Sequence, residues 1–560
     1  MRSRAAETAS VVITAGLILL AVALVADSVA TIIRLHSALP YFDEWDSLTL
    51  FRDLATGQAP WTDMFSQHNE HRIVVPRLFL FSDYLFFGGR GVFDLVTIGA
   101  IQAAHAGLLI WLLRRARPTS RGSLAIAAVV VMLLSSLRQE ENFSWGFQVT
   151  FVGVFALATL ACALFSDALA ALRAGQAYGG RLIAAYAVVV AATFTMANGL
   201  LVGLTLICLA VASRAPLRIV AASGAVLAIL ASCYFYRYQV AADQTPLALS
   251  LWHPLRLLSY TAIYLGNFLE PDLRAARFLG LWGLLAMAGA AWTIVLRRDT
   301  DPVRMALFGI MLFTVGSALV TGLGRLGMGL DQAFSSRYAT GAATFWSAIS
   351  IYWWSFANRV RGATLLRFAI GATALVLVVG AVQSQGPQIG GMEVRARAQR
   401  AAADALLLGL EDQGSFQAIY DVNGPVEAGA AFLKARGLSV FGQRDAGLVG
   451  KPIVQAGTMV DRALCDGSID MAAAAPDLGA DGARVSGRGR ARDDHAMTDR
   501  IYLVDGKDAI VGLASRSPDL ADPEPWSGFA VSPAGTPLRA FARLSHAGLC
   551  ELGAAAVVTQ

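Results

Sequence analysis

The sequence predicts a polytopic α-helical membrane protein that ends in a β-rich domain outside the membrane. Hydrophobic residues make up 56% of the 560 and charged residues only 15%, and the mean hydropathy of +0.55 lies outside the soluble globular range. Apolar runs long enough to span a bilayer recur as far as residue 383. After Gln383 the sequence becomes rich in Gly, Asp and Arg, with short β-like segments.

The first apolar run covers residues 11–33 and follows Arg2 and Arg4. It reaches the roughly 20 residues that a spanning helix needs. It lacks the short apolar core and the small-residue cleavage site of a removed signal peptide. We therefore expect a retained first helix whose N-terminus lies in the cytoplasm.

Ten further apolar runs bring the predicted number of transmembrane helices to about eleven. They are 93–113, 123–137, 149–171, 182–197, 199–213, 219–236, 278–296, 303–320, 339–357 and 367–383. Arginine clusters fall on alternate turns, as expected for cytoplasmic loops. This pattern accounts for the net charge of +5, so we do not expect nucleic acid as a partner.

The segment 253–270 is apolar but contains Pro254, Arg256 and Asn267. Counting it as a span would place all later arginine clusters on the wrong side of the membrane. We therefore expect an interfacial or re-entrant helix on the outer face. The cytoplasmic turns have no glycine-rich phosphate loop, which argues against direct use of ATP.

These patterns divide the chain into a transmembrane domain (1–384, including outer loop 35–92), a helical connector (385–449) and an extracytoplasmic β-rich domain (450–560). Helix-forming composition over 391–437 ends at Gly437. Short strands near 500–504 and 509–513 indicate a sandwich-like arrangement, and we expect 476–497 to be a loop.

The five cysteines fall into two groups. Cys162, Cys208 and Cys233 lie in predicted spans, where they are expected to act as small packing residues. Cys465 and Cys550 lie at opposite ends of the β-rich region. In an oxidising compartment they either form a disulfide or remain free, and the sequence favours neither.

The first outer loop combines acids, histidines and aromatic residues. Asp43, Glu44 and Asp46 follow the first span, and Asp43 and Asp46 share a face if this segment is helical. A catalytic base must reach an acceptor hydroxyl, and a neighbouring acid tunes its pKa. Ordinary loop polarity or an interfacial aromatic belt is the alternative, but the density of these residues favours a functional site.

An acidic pair just after the first span, followed by many helices and a C-terminal extracytoplasmic domain, resembles the GT-C superfamily of glycosyltransferases that use polyprenyl-phosphate sugars. The resemblance implies that Asp43, with Glu44 beside it, deprotonates the acceptor and that the anomeric carbon is inverted. It implies a polyprenyl-phosphate-linked sugar donor and a cell-envelope glycan or lipid acceptor. The implied location is a bacterial inner membrane, with the C-terminal domain in the periplasm.

Three further motifs look like those of a group of bacterial membrane proteins of this type, and the resemblance covers roughly the first 385 residues. They are His68-Asn69-Glu70-His71-Arg72, the segment from Glu141 to Gln148, and Ser336-Arg337-Tyr338.

Each motif also has a chemical interpretation of its own. Arg325 and Arg337, at the outer edges of spans, are suited to bind a lipid-linked phosphate, or else they extend to the interface. Glu141, Asn142, Trp145 and Gln148 supply the hydrogen-bonding groups and aromatic face that suit a sugar ring, or else form a solvated hairpin tip. We expect Tyr338 to contribute to the same binding region as Arg337.

The histidine motif is expected to position substrates, together with Asp46 and Arg72. His68, Glu70 and His71 are weak candidates for a metal site, because the spacing lacks the four-residue helical separation of zinc proteases. Some members of the resembled superfamily use a divalent cation such as Mg²⁺ or Mn²⁺ and others need none, so metal dependence stays open.

Two other function classes remain. A transporter or flippase for a lipid-linked saccharide would be expected to carry charges within its spans, whereas here the charges gather in outer loops. An O-antigen polymerase or ligase shares the compartment and carrier but usually lacks a large C-terminal domain. The β-rich domain is either a carbohydrate-binding module or a structural cap, with Trp526 as its only tryptophan.

Overall fold

A computed structural model describes residues 4–116, 120–240, 246, 250–357, 359–360, 362–492, 497–545 and 548–559. Parts of the segment between the predicted spans 219–236 and 278–296, and of two arginine-rich turns, therefore lie outside the described residues. The chain forms two compact units. Unit 1 comprises Met1–Ile32, Thr62–Phe79 and Asp94–Gln388, and unit 2 comprises Ile33–Trp61, Leu80–Phe93 and Ile389–Gln560.

The helices up to residue 383 are α1 Arg4–Leu35, α2 Asp43–Ala55, α3 Val74–Phe86, α4 Val92–Ala116, α5 Arg121–Ser135, α6 Glu140–Ser144, α7 Val149–Arg173, α8 Gly179–Thr193, α9 Leu200–Ala212, α10 Leu217–Phe235, α11 Pro254–Leu265, α12 Leu273–Val295, α13 Pro302–Arg325, α14 Ala339–Ala357 and α15 Thr364–Gln383. Three more follow: α16 Gln385–Leu408, α17 Gln413–Ile419 and α18 Asn423–Arg436. The last ends at Gly437, whose φ of 61° is the left-handed conformation that glycine adopts most easily. The segment predicted to be helical between 391 and 437 is thus mostly helical, with breaks at 409–412 and 420–422.

Eight helical segments among the described residues are long and apolar enough to cross a membrane. They are Glu7–Leu35, Val92–Ala116, Arg121–Ser144, Gly146–Arg173, Leu217–Phe235, Leu273–Val295, Pro302–Met328 and Thr364–Leu408. The predicted spans at 182–197 and 199–213 correspond to shorter apolar helices, and that at 339–357 to α14. The chain is therefore compatible with a multi-pass membrane protein, and the number of eleven spans stays a prediction.

The core of unit 1 is a continuous cluster of buried apolar side chains contributed by most of its helices. Glycines allow α11 and α12 to approach closely. A Cβ at Gly280 would lie 1.8 Å from the carbonyl oxygen of Ala262, and one at Gly266 would lie 1.9 Å from that of Ala276. Any larger residue would force the two helices apart.

The segment 253–270 forms the 12-residue helix α11 and a short 3₁₀ turn, Asn267–Leu269. At 1.5 Å per residue α11 is about 18 Å long, shorter than the roughly 30 Å hydrocarbon core of a bilayer. Its residues from Tyr260 to Leu265 are buried. Its length fits the expectation that this segment does not span.

The β-rich part of unit 2 is one seven-stranded antiparallel sheet, rather than the two packed sheets of the predicted sandwich. The strands are β1 Cys465–Ala474, β2 Gly482–Ala491, β3 Met497–Val504, β4 Ile510–Arg516, β5 Pro525–Val531, β6 Pro537–Leu544 and β7 Gly548–Ala556, in the order β1-β2-β5-β4-β3-β6-β7. The segment after β7 returns to β1, where the Ala474 amide donates to the carbonyl of Val558 (2.8 Å). The sheet is therefore a nearly closed barrel with one apolar interior.

The predicted loop at 476–497 is wrong at residues 482–491, which form strand β2, and its residues 493–496 lie outside the described residues. Composition suggested a loop, but Gly487 and Gly489 face bulky neighbours: added Cβ atoms there would lie 2.5 Å from Trp526 and 2.8 Å from Leu552. These glycines make room for large side chains inside the barrel.

Cys465 on β1 and Cys550 on β7 form a disulfide between positions 85 apart in sequence. The double variant Cys465→Ser/Cys550→Ser is expected to lower the free energy of unfolding of the sheet by about 2–4 kcal/mol, because the cross-link restricts the unfolded chain. Hydrogen exchange of the strand amides in mild denaturant measures this. The control is Cys233→Ser, since Cys233 is an exposed free cysteine; equal stability of the double variant and native protein would contradict the prediction.

Candidate functional site

The acidic segment of unit 2 is helical from Asp43, so Asp43 and Asp46 lie in the first turn of α2 as the spacing argument required. The preceding Phe42 has φ 42° and ψ −121°, and its amide donates to the carbonyl of Ile419 (2.7 Å). A positive φ at a bulky residue costs on the order of 1–3 kcal/mol and persists only where surrounding structure holds it. The start of α2 is thus a fixed feature of unit 2.

Packing and hydrogen bonds hold the acidic turn in place. Trp45 is fully buried, and a Cβ at Gly429 on α18 would come within 3.0 Å of its ring. The Glu44 carboxylate accepts from the Tyr41 amide (2.8 Å). Asp43 is half-buried and lies in the first turn, at the positive end of the helix dipole.

Asp46 accepts a hydrogen bond from the hydroxyl of Tyr420, at 2.5 Å. Burial raises the pKa of Tyr420 well above its usual range, and the Asp46 carboxylate raises it further. The phenol therefore stays neutral and keeps donating throughout the physiological pH range. Tyr420 lies 374 positions after Asp46 in sequence, and no local pattern in the sequence indicates it.

Tyr420→Phe is expected to lower the free energy of local opening of α2 by about 1.5–3 kcal/mol, because a partly buried hydrogen bond to a carboxylate is lost. Hydrogen exchange of the α2 amides measures the change. Tyr236→Phe is the matched control, since Tyr236 is 64% exposed. Removal of its hydroxyl should leave the exchange of the α2 amides nearly unchanged. Unchanged exchange in Tyr420→Phe would show that the bond does not hold α2.

In unit 1 the histidine motif forms a tight two-residue turn rather than a helix. The amides of His68 and His71 each donate to the other's carbonyl, at 2.7 and 2.8 Å. Asn69 occupies the left-handed region with φ 46°, which Asn tolerates better than most residues. The two histidines therefore oppose each other across the turn, and the metal candidates His68, Glu70 and His71 stay a prediction.

The turn brings Glu70 to Arg325 at the end of α13. Arg325 Nη2 donates to Glu70 Oε1 (3.1 Å), and His71 Nε2 lies 3.6 Å from the same oxygen. Burial by itself would raise the pKa of Glu70, but the charges of His71 and Arg325 outweigh it, so the pKa is lowered. Glu70 is therefore ionised at neutral pH and holds the guanidinium of Arg325 at the edge of the turn.

Arg72 supports this turn by donating to backbone carbonyls. Its Nε bonds the carbonyl of Tyr234 and its Nη1 that of Phe65, both at 2.6 Å. Arg77, which sequence reasoning did not single out, is buried and donates to the carbonyls of Met64 (2.7 Å) and Ser66 (2.8 Å). Both arginines therefore fix the backbone on which Glu70 is placed.

The structure brings the Glu141 and Ser336-Arg337-Tyr338 motifs together in unit 1. Glu141 Oε2 accepts from the Ser336 hydroxyl (2.8 Å) and from the Arg337 amide (3.1 Å), and lies 3.7 Å from Arg337 Nε. Asn142 Nδ2 donates to the Arg337 carbonyl (3.0 Å). Glu141 and Asn142 thus position the segment that carries Arg337.

The aromatic and amide members of these motifs lie inside the protein. Trp145 is 5% exposed and stacks on Phe147, and Gln148 has no exposed surface. Tyr338 is also buried and stacks on Tyr264, with ring centroids 5.1 Å apart. A direct sugar contact by Trp145 or Gln148 stays a prediction. Because both side chains are buried, a sugar can reach them only if the surrounding chain opens.

No model of a known protein family matches this chain, and no curated protein is similar to it. The chemistry of these residues is therefore what indicates the function of the protein.

Proposed function

We propose that this protein is an inverting membrane glycosyltransferase that moves a sugar from a polyprenyl-phosphate donor to a glycan or lipid acceptor of the cell envelope. The observation that carries the proposal is the acidic first turn of α2. Three carboxylates there sit at a helix N-terminus, behind a backbone held in a strained conformation at Phe42. Strain at a well-supported position is frequent at functional sites.

Asp43 is the proposed base. Glu44 and Asp46 accept hydrogen bonds from the Tyr41 amide and the Tyr420 hydroxyl, which suits them to positioning. Asp43 removes the proton of the acceptor hydroxyl as that oxygen attacks the anomeric carbon. The bond from the anomeric carbon to the donor phosphate breaks, polyprenyl phosphate leaves with the electron pair, and the configuration is inverted.

The leaving phosphate gains negative charge as the bond breaks, so cationic donors help most in the transition state. Arg325 and Arg337 are the proposed phosphate ligands. Each has a carboxylate neighbour in unit 1, Glu70 at 3.1 Å and Glu141 at 3.7 Å. These carboxylates orient the guanidinium groups before substrate binds, which lowers the entropy lost on binding.

An apolar groove in unit 1 supports a lipid-linked donor. It has a volume of about 460 Å³ and lies among α3, α4, α7 and α8, with Phe79, Ile101, Leu108 and Leu157 in its walls. A polyprenyl chain consists of hydrocarbon alone and gains free energy from such a lining. We place the donor's chain in this groove.

The test is sugar transfer by the purified protein in detergent, with a panel of radiolabelled polyprenyl-phosphate sugars and membrane glycan acceptors. Transfer or slow hydrolysis of one donor, with inversion at the anomeric carbon, supports the proposal. Donor binding without turnover, combined with donor movement across reconstituted vesicles, would favour the lipid-linked saccharide transporter instead. Polymerisation of a pre-assembled lipid-linked repeat would favour the O-antigen polymerase or ligase class.

A further inference from the structure

Unit 2 contains a cationic cavity of about 220 Å³ between α16 and the outer face of the sheet. Its walls contain four arginines and three serines, and no acidic side chain among the described residues: Arg397, Arg400, Arg484, Arg516, Ser486, Ser515 and Ser527. Pockets for drug-sized ligands usually have about 300–1,000 Å³. This cavity therefore has room for a smaller ligand, about one sugar unit with its charged group.

The three serines form a row across the sheet. Ser486 on β2 is paired with Ser527 on β5, and Ser527 is paired with Ser515 on β4. Directly paired residues on neighbouring strands point to the same face, with Cβ atoms about 4.5–5.5 Å apart. The Ser515 hydroxyl donates to Asp404 Oδ2 (3.2 Å) and so has only acceptor capacity for a ligand, whereas a serine hydroxyl such as that of Ser486 or Ser527 can both donate and accept.

Two arginines of α16 face this row. Arg397 and Arg400 are three residues apart and so lie on one side of the helix. Arg400 Nη2 is 2.9 Å from Asp499, whereas its Nη1 is buried and has no hydrogen-bond partner among the described residues. Because Nη1 is closed off from solvent, a ligand in the cavity would contact Arg400 through the remaining exposed part of its side chain, 16% of the surface.

The other cationic groups are held by their own contacts. Arg484 is paired with Asp412 and Asp477, at 2.8 and 2.7 Å. Arg516 donates to the carbonyls of Pro523 (3.0 Å) and Met497 (2.8 Å). Burial lowers the pKa of Arg516, and the Asp499 and Glu524 charges offset this only in part. A bound anion would therefore stabilise the charge of Arg516 directly.

We propose that this cavity binds an acidic saccharide unit, through a phosphate or carboxylate group on Arg397 and Arg400 and through its hydroxyl groups on the serine row. Guanidinium groups bind both oxyanions through charge-assisted hydrogen bonds, and Phe529 and Met471 supply apolar surface beside the serines. The proposal gives the C-terminal part of the chain a glycan-recognition role. It does not depend on the glycosyltransferase activity.

The experiment measures binding of four probes to the full-length protein in detergent by isothermal titration calorimetry: glucose 1-phosphate, glucuronate, glucose and inorganic phosphate. We expect glucose 1-phosphate or glucuronate to bind, with affinity falling as salt is raised, and glucose to bind at least tenfold more weakly. The stronger of the two acidic probes identifies the charged group. Equal affinity for glucose would overturn the role of the arginines, and equal affinity for inorganic phosphate would overturn the role of the serine row.

Two variants test the cavity itself. Arg397→Gln and Ser527→Ala are each expected to weaken the acidic probe, Arg397→Gln by about tenfold or more because a charge-assisted bond is lost. Both side chains are exposed, so both variants are expected to fold, and hydrogen exchange of the strands checks this. The matched control is Arg490→Gln, since Arg490 is 62% exposed, pairs with Asp466 and lies outside the cavity. Native affinity in both Arg397→Gln and Ser527→Ala would overturn the site.

Discussion

Asp43→Asn is expected to reduce sugar transfer by about 10²–10⁴-fold while the protein keeps its fold. The amide is nearly the same size as the carboxylate but cannot accept the acceptor's proton, and general bases contribute effects of this magnitude. Because the donor's phosphate and chain make no use of this group in the proposed reaction, donor binding should change little. The measurement compares transfer rate and donor affinity of native and variant protein.

Asp53→Asn is the matched control for this experiment. Asp53 is another aspartate of α2, and it accepts a hydrogen bond from Arg52 (3.0 Å) outside the acidic first turn. The Asp53→Asn variant should keep nearly native sugar-transfer activity. Full transfer by Asp43→Asn would show that another group is the base, whereas loss of activity in both variants would point to a general requirement for an intact α2.

Arg500→Met is expected to lower the free energy of unfolding of the sheet by about 3–5 kcal/mol, because it leaves a buried carboxylate without its cation. Arg500 Nη1 lies 2.5 Å from Asp404, which is 1% exposed, and its Nε lies 2.8 Å from Asp445. Asp445 keeps the hydroxyl of Tyr502 (2.8 Å) and Asp404 keeps that of Ser515 (3.2 Å). Asp404 is the more deeply buried of the two carboxylates, so the penalty falls mainly on Asp404. Hydrogen exchange of the β3 amides measures the loss.

The stability that Arg500→Met loses should depend on pH, and the direction of the change follows from the pKa of Asp404. Burial raises the pKa of Asp404 even though Arg500 opposes it, so removal of Arg500 raises that pKa further. A carboxyl group whose pKa is raised in the folded state stabilises the fold at low pH, where the group is protonated. This stabilisation is lost as the pH rises through the folded-state pKa. The gap between Arg500→Met and native protein should therefore narrow as the pH falls.

Arg490→Met is the control for this change. Its ion pair with Asp466 is 3.2 Å long but both side chains are about half exposed, and such pairs contribute roughly 0–1 kcal/mol. A similarly small effect from Arg500→Met, or a gap that widens toward acid pH, would contradict the account of Asp404.

Local patterns predicted much of the helical structure because they depend on neighbours in sequence. Apolar runs marked most helices, and the glycine at 437 marked the end of α18. The strand β2 was missed because its glycines and arginines read as a loop, and only packing against Trp526 and Leu552 explains them. Similarly, the sequence indicated strands near 500 and 510 but not that all seven join in one sheet.

The sequence predicted the charged residues of the candidate site but not the residues that they contact. Asp43, Glu70, Arg325 and Arg337 lie beside predicted spans or within polar motifs of the predicted outer loops, and this placement singles them out. The partner of Asp46 lies 374 residues away, and that of Glu141 lies 195 residues away. Such pairings follow from tertiary packing, and a single sequence carries no signal for them.

The return of the chain from the last strand to the first has a consequence for solubility. An open sheet exposes two rows of unpaired backbone groups, and such edges promote aggregation by pairing with edges of other molecules. Here the disulfide joins β1 to β7, and the amides of Ala474 and Val558 donate across the same gap. The first and last strands thereby cover each other's edges, which lowers the tendency of the sheet to pair with another molecule.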